Sequence, residues 1–511
     1  MRPRPWQDHL AGGRAEVPVG DLVSRWTRRW AEHPAAAVLF QVGASPSPDA
    51  GRWVRAGEID ERSAAAAAVL RRAGVGVGDR VLWAPDPSVA GVVGHVAALR
   101  AGAVVVPVNP AYTERELRHV VEEVTPAAAL IAGDAMEAVL SVLDVPGLLD
   151  LHALASLPAP GPGAPTPSEQ DATARGAEEA AAAPALVAFT SGTTGAPKGA
   201  VLSHGNVLAN SWALATAWGV TEEDRLVHAL PLFHGHGLCA ALYTMLLAGA
   251  STVLLPGFDA GAVGDAVGAH RASLFFGVPT MYHRLLHSGA IDALRSARLA
   301  VSGSAPLSAE MHRAAKERGV DVLERYGMTE TLLTISNPLR GERRAGTVGF
   351  PLPGIEAEVD DASGEILVRG PQVFEGYLNR PAATAESFAD GWFHTGDLAE
   401  VEEGYVRIRG RAGDLVISGG FNVYPAEVED VLLRHPGVAE VAVTGTPSEE
   451  WGEVVTAWVV LAGAAAGPGA ERDLLDFAAA ELAPYKRPRL VHFVDALPRN
   501  AMGKVQRSQL R

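Results

Sequence analysis

Ala185-Leu186-Val187-Ala188-Phe189-Thr190-Ser191-Gly192-Thr193-Thr194-Gly195-Ala196-Pro197-Lys198-Gly199 is an apolar run that breaks into a loop of glycines, hydroxyls and one lysine. The first five residues read as a buried strand. In the loop, Gly192, Gly195 and Gly199 leave backbone N–H groups free to approach an anion closely. Ser191, Thr193 and Thr194 add hydroxyl donors, and Lys198 adds a positive charge, so the loop is suited to gripping a polyphosphate. It is not a Walker loop, because Pro197 precedes the lysine and Gly199 stands where Ser or Thr is required. A surface linker would not follow a buried strand and end in Pro-Lys-Gly.

Outward from this stretch, helical and extended patterns alternate. Residues 59–74 read as a helix, 80–84 as a strand, 89–101 as a helix, and 104–108 and 127–132 as strands, which predicts βα units and a parallel sheet. Residues 155–183 turn to Pro, Ala, Gly, Ser and Glu and read as an exposed approach to the loop. A helix over 206–217 and strands over 252–255 and 273–277 follow. After Gly354 the pattern changes to apolar–polar alternation over 355–359, 365–369 and 405–409, the mark of a smaller β-rich unit. A last block reads as helix 427–434, strands 438–444 and 454–461, and helix 472–482, about the size of a small α+β domain.

The chain of 511 residues is long enough for two or three domains. Its 48% hydrophobic and 20% charged residues are those of a globular protein. Lys and Arg number 43 against 59 Asp and Glu, a formal charge of −16, which opposes a broad nucleic-acid surface. An anionic ligand must then be held by local positive groups. Cys239 is the only cysteine, so no intrachain disulfide forms, and a reducing cytoplasm is expected. It lies in an apolar run and reads as a core residue. No run of about 18 or more apolar residues appears, so no integral membrane segment is expected. No apolar stretch follows the basic N-terminus, so no signal peptide is expected either.

Two further segments carry chemistry. Arg325-Tyr326-Gly327-Met328-Thr329-Glu330 offers a ring to stack on a base, a hydroxyl for a phosphate oxygen, and a carboxylate for Mg²⁺. Trp392-Phe393-His394-Thr395-Gly396-Asp397 sets a carboxylate beyond a tight turn, the residue type that accepts from ribose hydroxyls. His228, His234 and His236 lie close in sequence, but no convergent Cys or carboxylate set accompanies them, so a metal site is not expected.

With these segments, and with Pro231 to His234, Ser302 to Leu307, Gly410 to Asp414, Ser418 to Val423 and Pro498 to Lys504, the chain resembles the adenylate-forming superfamily. That group includes acyl-CoA synthetases, standalone adenylation domains and luciferases. The resemblance runs from about residue 50 to the C-terminus. It implies an α/β fold: a large N-terminal domain of parallel βα sheets with a smaller β-rich subdomain, then a small mobile α+β C-terminal domain. The expected boundaries are 1–410 for the adenylation domain, 411–414 for a hinge at Asp414, and 415–511 for the mobile domain.

The resemblance also implies roles. Thr190, Ser191, Gly192, Thr193, Thr194, Gly195 and Lys198 would cradle the β- and γ-phosphates of ATP. Ser304, Ala305 and Tyr326 would border adenine, Thr329 would contact the α-phosphate, and Glu330 would hold Mg²⁺. Asp397 would take the ribose hydroxyls with Arg411 nearby. Lys504 would reach the substrate carboxylate and the α-phosphate. Gly419 and Gly420 would line a tunnel for the pantetheine of CoA, and His234 would sit between acyl pocket and thiol entrance.

The implied partners are a small carboxylic acid, ATP and CoA, with no nucleic acid; a homodimer is an open assembly. The implied reaction forms an acyl-adenylate and pyrophosphate, then a thioester. Transfer to a carrier-protein thiol or an amine, and a non-catalytic binding protein, are the alternatives.

The acyl pocket is expected from residues 238–245, 276–281, Gly303 and 327–333. These are mostly apolar or small and suit a hydrophobic monocarboxylic acid. No Asp near 233–237 awaits an amino group, so an amino acid is not expected. Residues 276–284 and 298–305 look like malonyl- and methylmalonyl-CoA synthetases, which pair arginines with a second carboxylate. Arg298 stands at a matching place, while the other expected arginine, near Pro256-Gly257-Phe258, is missing.

Overall fold

The computed structural model describes residues 16–43, 48–157, 176–190, 197–418, 421–448, 451–463, 469–500 and 504–510. The apolar run before the glycine-rich loop forms the strand Pro184–Phe189. It pairs in parallel with Val104–Pro107 on one side and antiparallel with Gly199–Ser203 on the other. The loop is therefore a hairpin connection, with Phe189 opposite Gly199 at its base. Beyond Val104–Pro107 the sheet continues in parallel through Arg80–Ala84, Ala128–Ile131 and Leu148–Asp150. Gly376–Tyr377 adds antiparallel to Gly199–Ser203 and makes seven strands among the described residues.

A second sheet has nine strands among the described residues. From Ala37–Gln41 through Ser251–Leu254, Arg225–His228, Leu274–Gly277 and Leu299–Ser302 to Val322–Met328, every pairing is parallel. Their near-continuous apolar sequences follow from burial on both faces. Antiparallel Trp53–Arg55 closes one edge; Leu332–Ser336 and Phe350–Pro351 close the other.

Helices fill the space around these sheets. Val89–Arg100 has no polar face, and every one of its residues is buried; Ser88 caps it by accepting from Gly91 N–H. His204–Ala217 packs on Gly199–Ser203 of one sheet and Leu332–Ser336 of the other. Its buried Asn side chains serve as ties: Asn206 Nδ2 donates to Pro371 O and Val373 O, and Asn210 Nδ2 donates to Leu333 O. A buried amide satisfied in this way fixes one relative position of two layers. Of the stretch expected to be irregular, Ala177–Ala182 forms a helix and residues 158–175 lie outside the described set.

The alternating segments after Gly354 form an antiparallel sheet of Glu356–Val359, Glu365–Arg369, Trp392–Glu402, Phe388–Ala389 and Tyr405–Arg411. The last block builds its own sheet from Val416–Ser418, Phe421–Val423, Gly452–Leu461, Val438–Ser448 and Leu490–Phe493. Pro425–Leu432 and Ala470–Glu481 cover it, and Val428, Leu432, Val443, Val455, Val459, Leu474 and Ala478 make a separate core. Among the described residues, no helix is long and apolar enough to cross a membrane.

Candidate active site

The parallel strands of the nine-stranded sheet end together, and side chains beyond their C-terminal ends can converge there. Gly303 and Ser304 follow Leu299–Ser302, and the histidine segment follows Arg225–His228. The hairpin between Val322–Met328 and Leu332–Ser336 presents Thr329 and Glu330 at its turn. A register shift at Tyr326/Gly327 lets the hairpin close, and it needs Gly327, because a Cβ there would lie 1.9 Å from Leu332 O.

Tyr326 is buried and its hydroxyl donates to Asp397 Oδ2 at 2.7 Å. Asp397 Oδ1 meets Arg411 Nε at 3.1 Å, across the register pair of their two strands. The residues expected at adenine and ribose are thus brought together by two different sheets. Burial and Asp397 hold the Tyr326 phenol well above its ordinary range, so it stays a donor.

Ser304 has a left-handed backbone, φ +70°, and its Oγ lies 3.2 Å from His236 Nδ1. Ala305 follows it, half-buried. The Thr329 hydroxyl takes no partner among the described residues, as a group awaiting a ligand would not. Glu330 is buried, its carboxyl is raised by burial, and Oε1 accepts from the Tyr377 hydroxyl at 2.8 Å. It makes no ion pair among the described residues.

Of the glycine-rich loop, Ser191, Gly192, Thr193, Thr194 and Gly195 lie outside the described residues, but its two ends are defined. Thr190 N–H donates to Lys198 O at 2.9 Å, and Lys198 N–H donates to Thr190 Oγ1 at 3.3 Å. The Lys198 ammonium sits 4.7 Å from the centroid of the Tyr377 ring. Gly419 and Gly420 also lie outside the described residues.

Lys504 comes from the C-terminal block yet reaches this site. Its ammonium is held below the ordinary lysine range by burial and by Arg411, against Asp397 and Asp414, and its charge is felt by His234. Asn500 braces it: Lys504 N–H donates to Asn500 Oδ1 at 3.0 Å. Arg507 then bonds both carboxylate oxygens of Glu429, at 2.7 and 2.8 Å, and lies 3.8 Å from Asp414. Sequence reading did not find Arg507, since nothing local marks it.

His234 is pushed down to about 4 by burial, Arg325 and Lys504. Its imidazole is neutral near pH 7 and can accept a proton. His228 is likewise pushed down to about 4 by burial, and both its ring nitrogens lack partners. Among the described residues no group of three or more His, Cys, Asp or Glu side chains is clustered so as to hold a metal ion. Cys239 is buried and its thiol is pushed up to about 12 by burial, so it remains protonated.

Two arginines of this sheet have contrasting surroundings. Arg298, matched to a second-carboxylate site, points elsewhere. Its Nε and Nη2 bond both oxygens of Asp224 at 2.7 and 2.6 Å, and Nη1 and Nη2 donate to Trp218 O and Gly219 O. It precedes Leu299–Ser302, so it lies at the opposite end of that strand from Gly303.

Arg325 was quoted only as the start of a motif. It is 6% exposed, its Nε and Nη2 are buried without partners, and its guanidinium lies over Gly303. A Cβ on Gly303 would sit 2.1 Å from Arg325 Cζ.

This geometry has a clear counterpart among known proteins. The profile of the AMP-binding enzyme family matches residues 25–378, and that of the AMP-binding enzyme C-terminal domain matches 427–504. The chain belongs to the AMP-binding enzyme family. Within it, the chain is 37% identical over 480 residues to a malonate–CoA ligase of Arabidopsis thaliana, covering 85% of this chain and 78% of that one. It is 36% identical over 468 residues to a feruloyl-CoA synthase of an Amycolatopsis species, covering 89% and 92%. Among solved structures, ATP-bound MatB from Rhodopseudomonas palustris superposes with a TM-score of 0.87 at 38% identity, covering 97% of this chain and 98% of that one. The AMP-binding family thus shares the fold and both profile regions with this chain.

Proposed function

We propose that the chain is an ATP-dependent acid:CoA ligase whose acid carries a second anionic group. The observation behind the first half is the meeting of Lys504 with Tyr326, Asp397, Arg411 and Glu330 at one end of the nine-stranded sheet. Lys198 and the glycine-rich loop hold the β- and γ-phosphates. Asp397 accepts from the ribose hydroxyls, with Arg411 and Tyr326 holding its carboxylate in place, and Ser304–Ala305 borders the base. The acid's carboxylate attacks the α-phosphorus, a P–O bond to the β-phosphate breaks, and pyrophosphate leaves. Lys504 and the Thr329 hydroxyl face the charge that develops on the α-phosphate oxygens, so catalysis rests on positioning and charge.

Glu330 suits an Mg²⁺ that arrives on phosphate. It is a lone buried carboxylate without a cationic partner, and Mg²⁺ is commonly held by one or two carboxylates plus substrate oxygens. When bound, the ion supplies charge neutralisation on the phosphates. In the second half, a CoA thiol attacks the acyl carbonyl and AMP departs, with neutral His234 placed to accept the thiol proton. Residues 411–414 serve as the hinge between the 1–410 and 415–511 domains, and Gly419 and Gly420 line the pantetheine path after rotation.

Arg325 carries the second half of the proposal. A buried guanidinium with unmade hydrogen bonds is costly, and an anion that pairs with it removes the cost. Its neighbour Glu324 does not serve: successive residues of a strand face opposite ways, and burial pushes the Glu324 carboxyl up to about 8. Burial lowers Arg325 only to about 9, so it is a cation near pH 7. A second reading, a hydrophobic monocarboxylic acid, is favoured by the buried apolar wall of Leu238, Met245 and Phe276.

The test is acid-dependent exchange of pyrophosphate into ATP across short dicarboxylates, fatty acids and aromatic acids, with acyl-CoA detected by mass spectrometry. Exchange should fall about 100- to 1,000-fold in Lys504→Ala, as for removal of a charge-stabilising group. No exchange with any acid class would end the ligase reading.

A further inference from the structure

Tyr377 touches both ends of the polyphosphate site, although it lies far from either in sequence. Its ring faces the Lys198 ammonium at 4.7 Å, and its hydroxyl donates to Glu330 Oε1 at 2.8 Å. The backbone around it is tied to the same two segments. Phe374 N–H donates to Glu330 O at 2.8 Å, and Leu378 N–H donates to Gly199 O at 2.7 Å. Just beyond, Arg380 Nε and Nη2 bond the two oxygens of Glu123 at 3.1 and 2.8 Å. The Phe374 ring meets the Tyr377 ring edge-on with centroids 4.8 Å apart. The phenol is therefore held by strand pairing, ring packing and an ion pair, and has little freedom of its own.

We propose that Tyr377 is a positioning residue, its ring placing the Lys198 ammonium for the departing phosphates while its hydroxyl fixes the Glu330 carboxylate. The proposal rests on the ligase reading for what these two groups do. Two features distinguish it from simple packing. The ring is the only partner of the Lys198 ammonium among the described residues, and a cation held on a ring face is oriented without being neutralised. The hydroxyl meets one Glu330 oxygen, which orients the carboxylate without an ion pair that would neutralise it. One side chain thus sets the distance between the cation for the β- and γ-phosphates and the carboxylate for their metal ion. Burial and Glu330 hold the phenol well above its ordinary range, so it stays a donor.

Two variants separate the functions of ring and hydroxyl. Tyr377→Phe keeps the ring and removes the hydroxyl; Tyr377→Leu removes both. ATP affinity is read by calorimetric titration with ATP and Mg²⁺ in the absence of acid. Turnover is read by pyrophosphate exchange, and folding by melting without nucleotide.

Tyr377→Phe should keep ATP affinity within about twofold while kcat for exchange falls about 10- to 100-fold, the range for a lost bond to a charged group. Tyr377→Leu should in addition weaken ATP binding about 10-fold, as for loss of a cation–π contact. The KM for the acid should not move in either. Unchanged ATP affinity in Tyr377→Leu, equal losses in both variants, or losses that follow a lowered melting temperature would overturn the assignment. A wild-type protein that binds ATP but shows no exchange would sink the ligase reading. In that case the Leu variant's ATP titration still decides whether the ring positions Lys198.

Discussion

Arg298 and Arg325 stand at opposite ends of one parallel sheet and have opposite environments. Arg298, at the N-terminal edge, has its donors matched by Asp224 and two backbone carbonyls. Arg325, at the C-terminal edge, is more deeply buried and has donors with no partner. The first pattern is that of a brace and the second that of a binding site. A charge that the fold satisfies contributes to stability, whereas a buried charge left unsatisfied is kept at a cost that a ligand offsets.

The largest effect expected from this contrast is on stability. Arg298→Ala removes the two-pronged partner of Asp224, which keeps only Thr221 N–H and the Ser273 hydroxyl, and should cost about 1.5–3 kcal/mol, the range for lost bonds to a charged group. Arg325→Leu should leave stability within about 1 kcal/mol of wild type or raise it, since it removes an uncompensated charge. Denaturant titration of the two variants makes the comparison. Equal destabilisation would mean that Arg325 is a brace as well.

A smaller effect concerns pH at the Arg325 end. His228 and His234 sit at about 4 in the folded chain against 6.5 for free imidazole. Between those values the unfolded chain binds more protons, so these groups lower stability as pH falls from 6.5 towards 4. Glu324 and Asp430, raised to about 8 and about 6, act in the opposite sense above their ordinary values. The histidine contribution is isolated by His228→Asn. The variant should reduce the slope of stability between pH 5 and 6.5 by about 1 kcal/mol per pH unit. An unchanged slope would show that His228 is not held neutral by burial.

The contrast between the arginines also marks how far the sequence could be read. Strands such as Arg80–Ala84 and Glu365–Arg369, and helices such as Val89–Arg100, were legible because their patterns are local and bounded by turn residues. The hairpin nature of the glycine-rich loop was not, since strand direction depends on pairing rather than on composition. In the site, Tyr326, Glu330, Asp397 and Lys504 were legible by family resemblance, and the structure brings them to one place. Arg298 stood at a matching place in the sequence, but position in a motif does not say towards which end of a sheet a side chain reaches.

The guanidinium of Arg325 was in plain view beside Tyr326, but only the missing partners give it meaning. Tyr377 had no signal: its contacts lie 47 residues away at Glu330 and in the Lys198 segment, joined by tertiary structure alone. The loop together with the other motif segments pointed to the reaction class, and we propose that an arginine outside the loop bears on the acid.

The most direct test of that last claim compares malonate with propanoate, which lacks the second carboxylate, in wild type and in Arg325→Leu. The measurement is kcat/KM for thioester formation with each acid. The account predicts that wild type prefers malonate by about 100-fold or more, because an unpaired buried group rejects the analogue that cannot bond it. The preference should vanish or invert in Arg325→Leu. Wild type preferring propanoate, or an unchanged ratio in the variant, would contradict it.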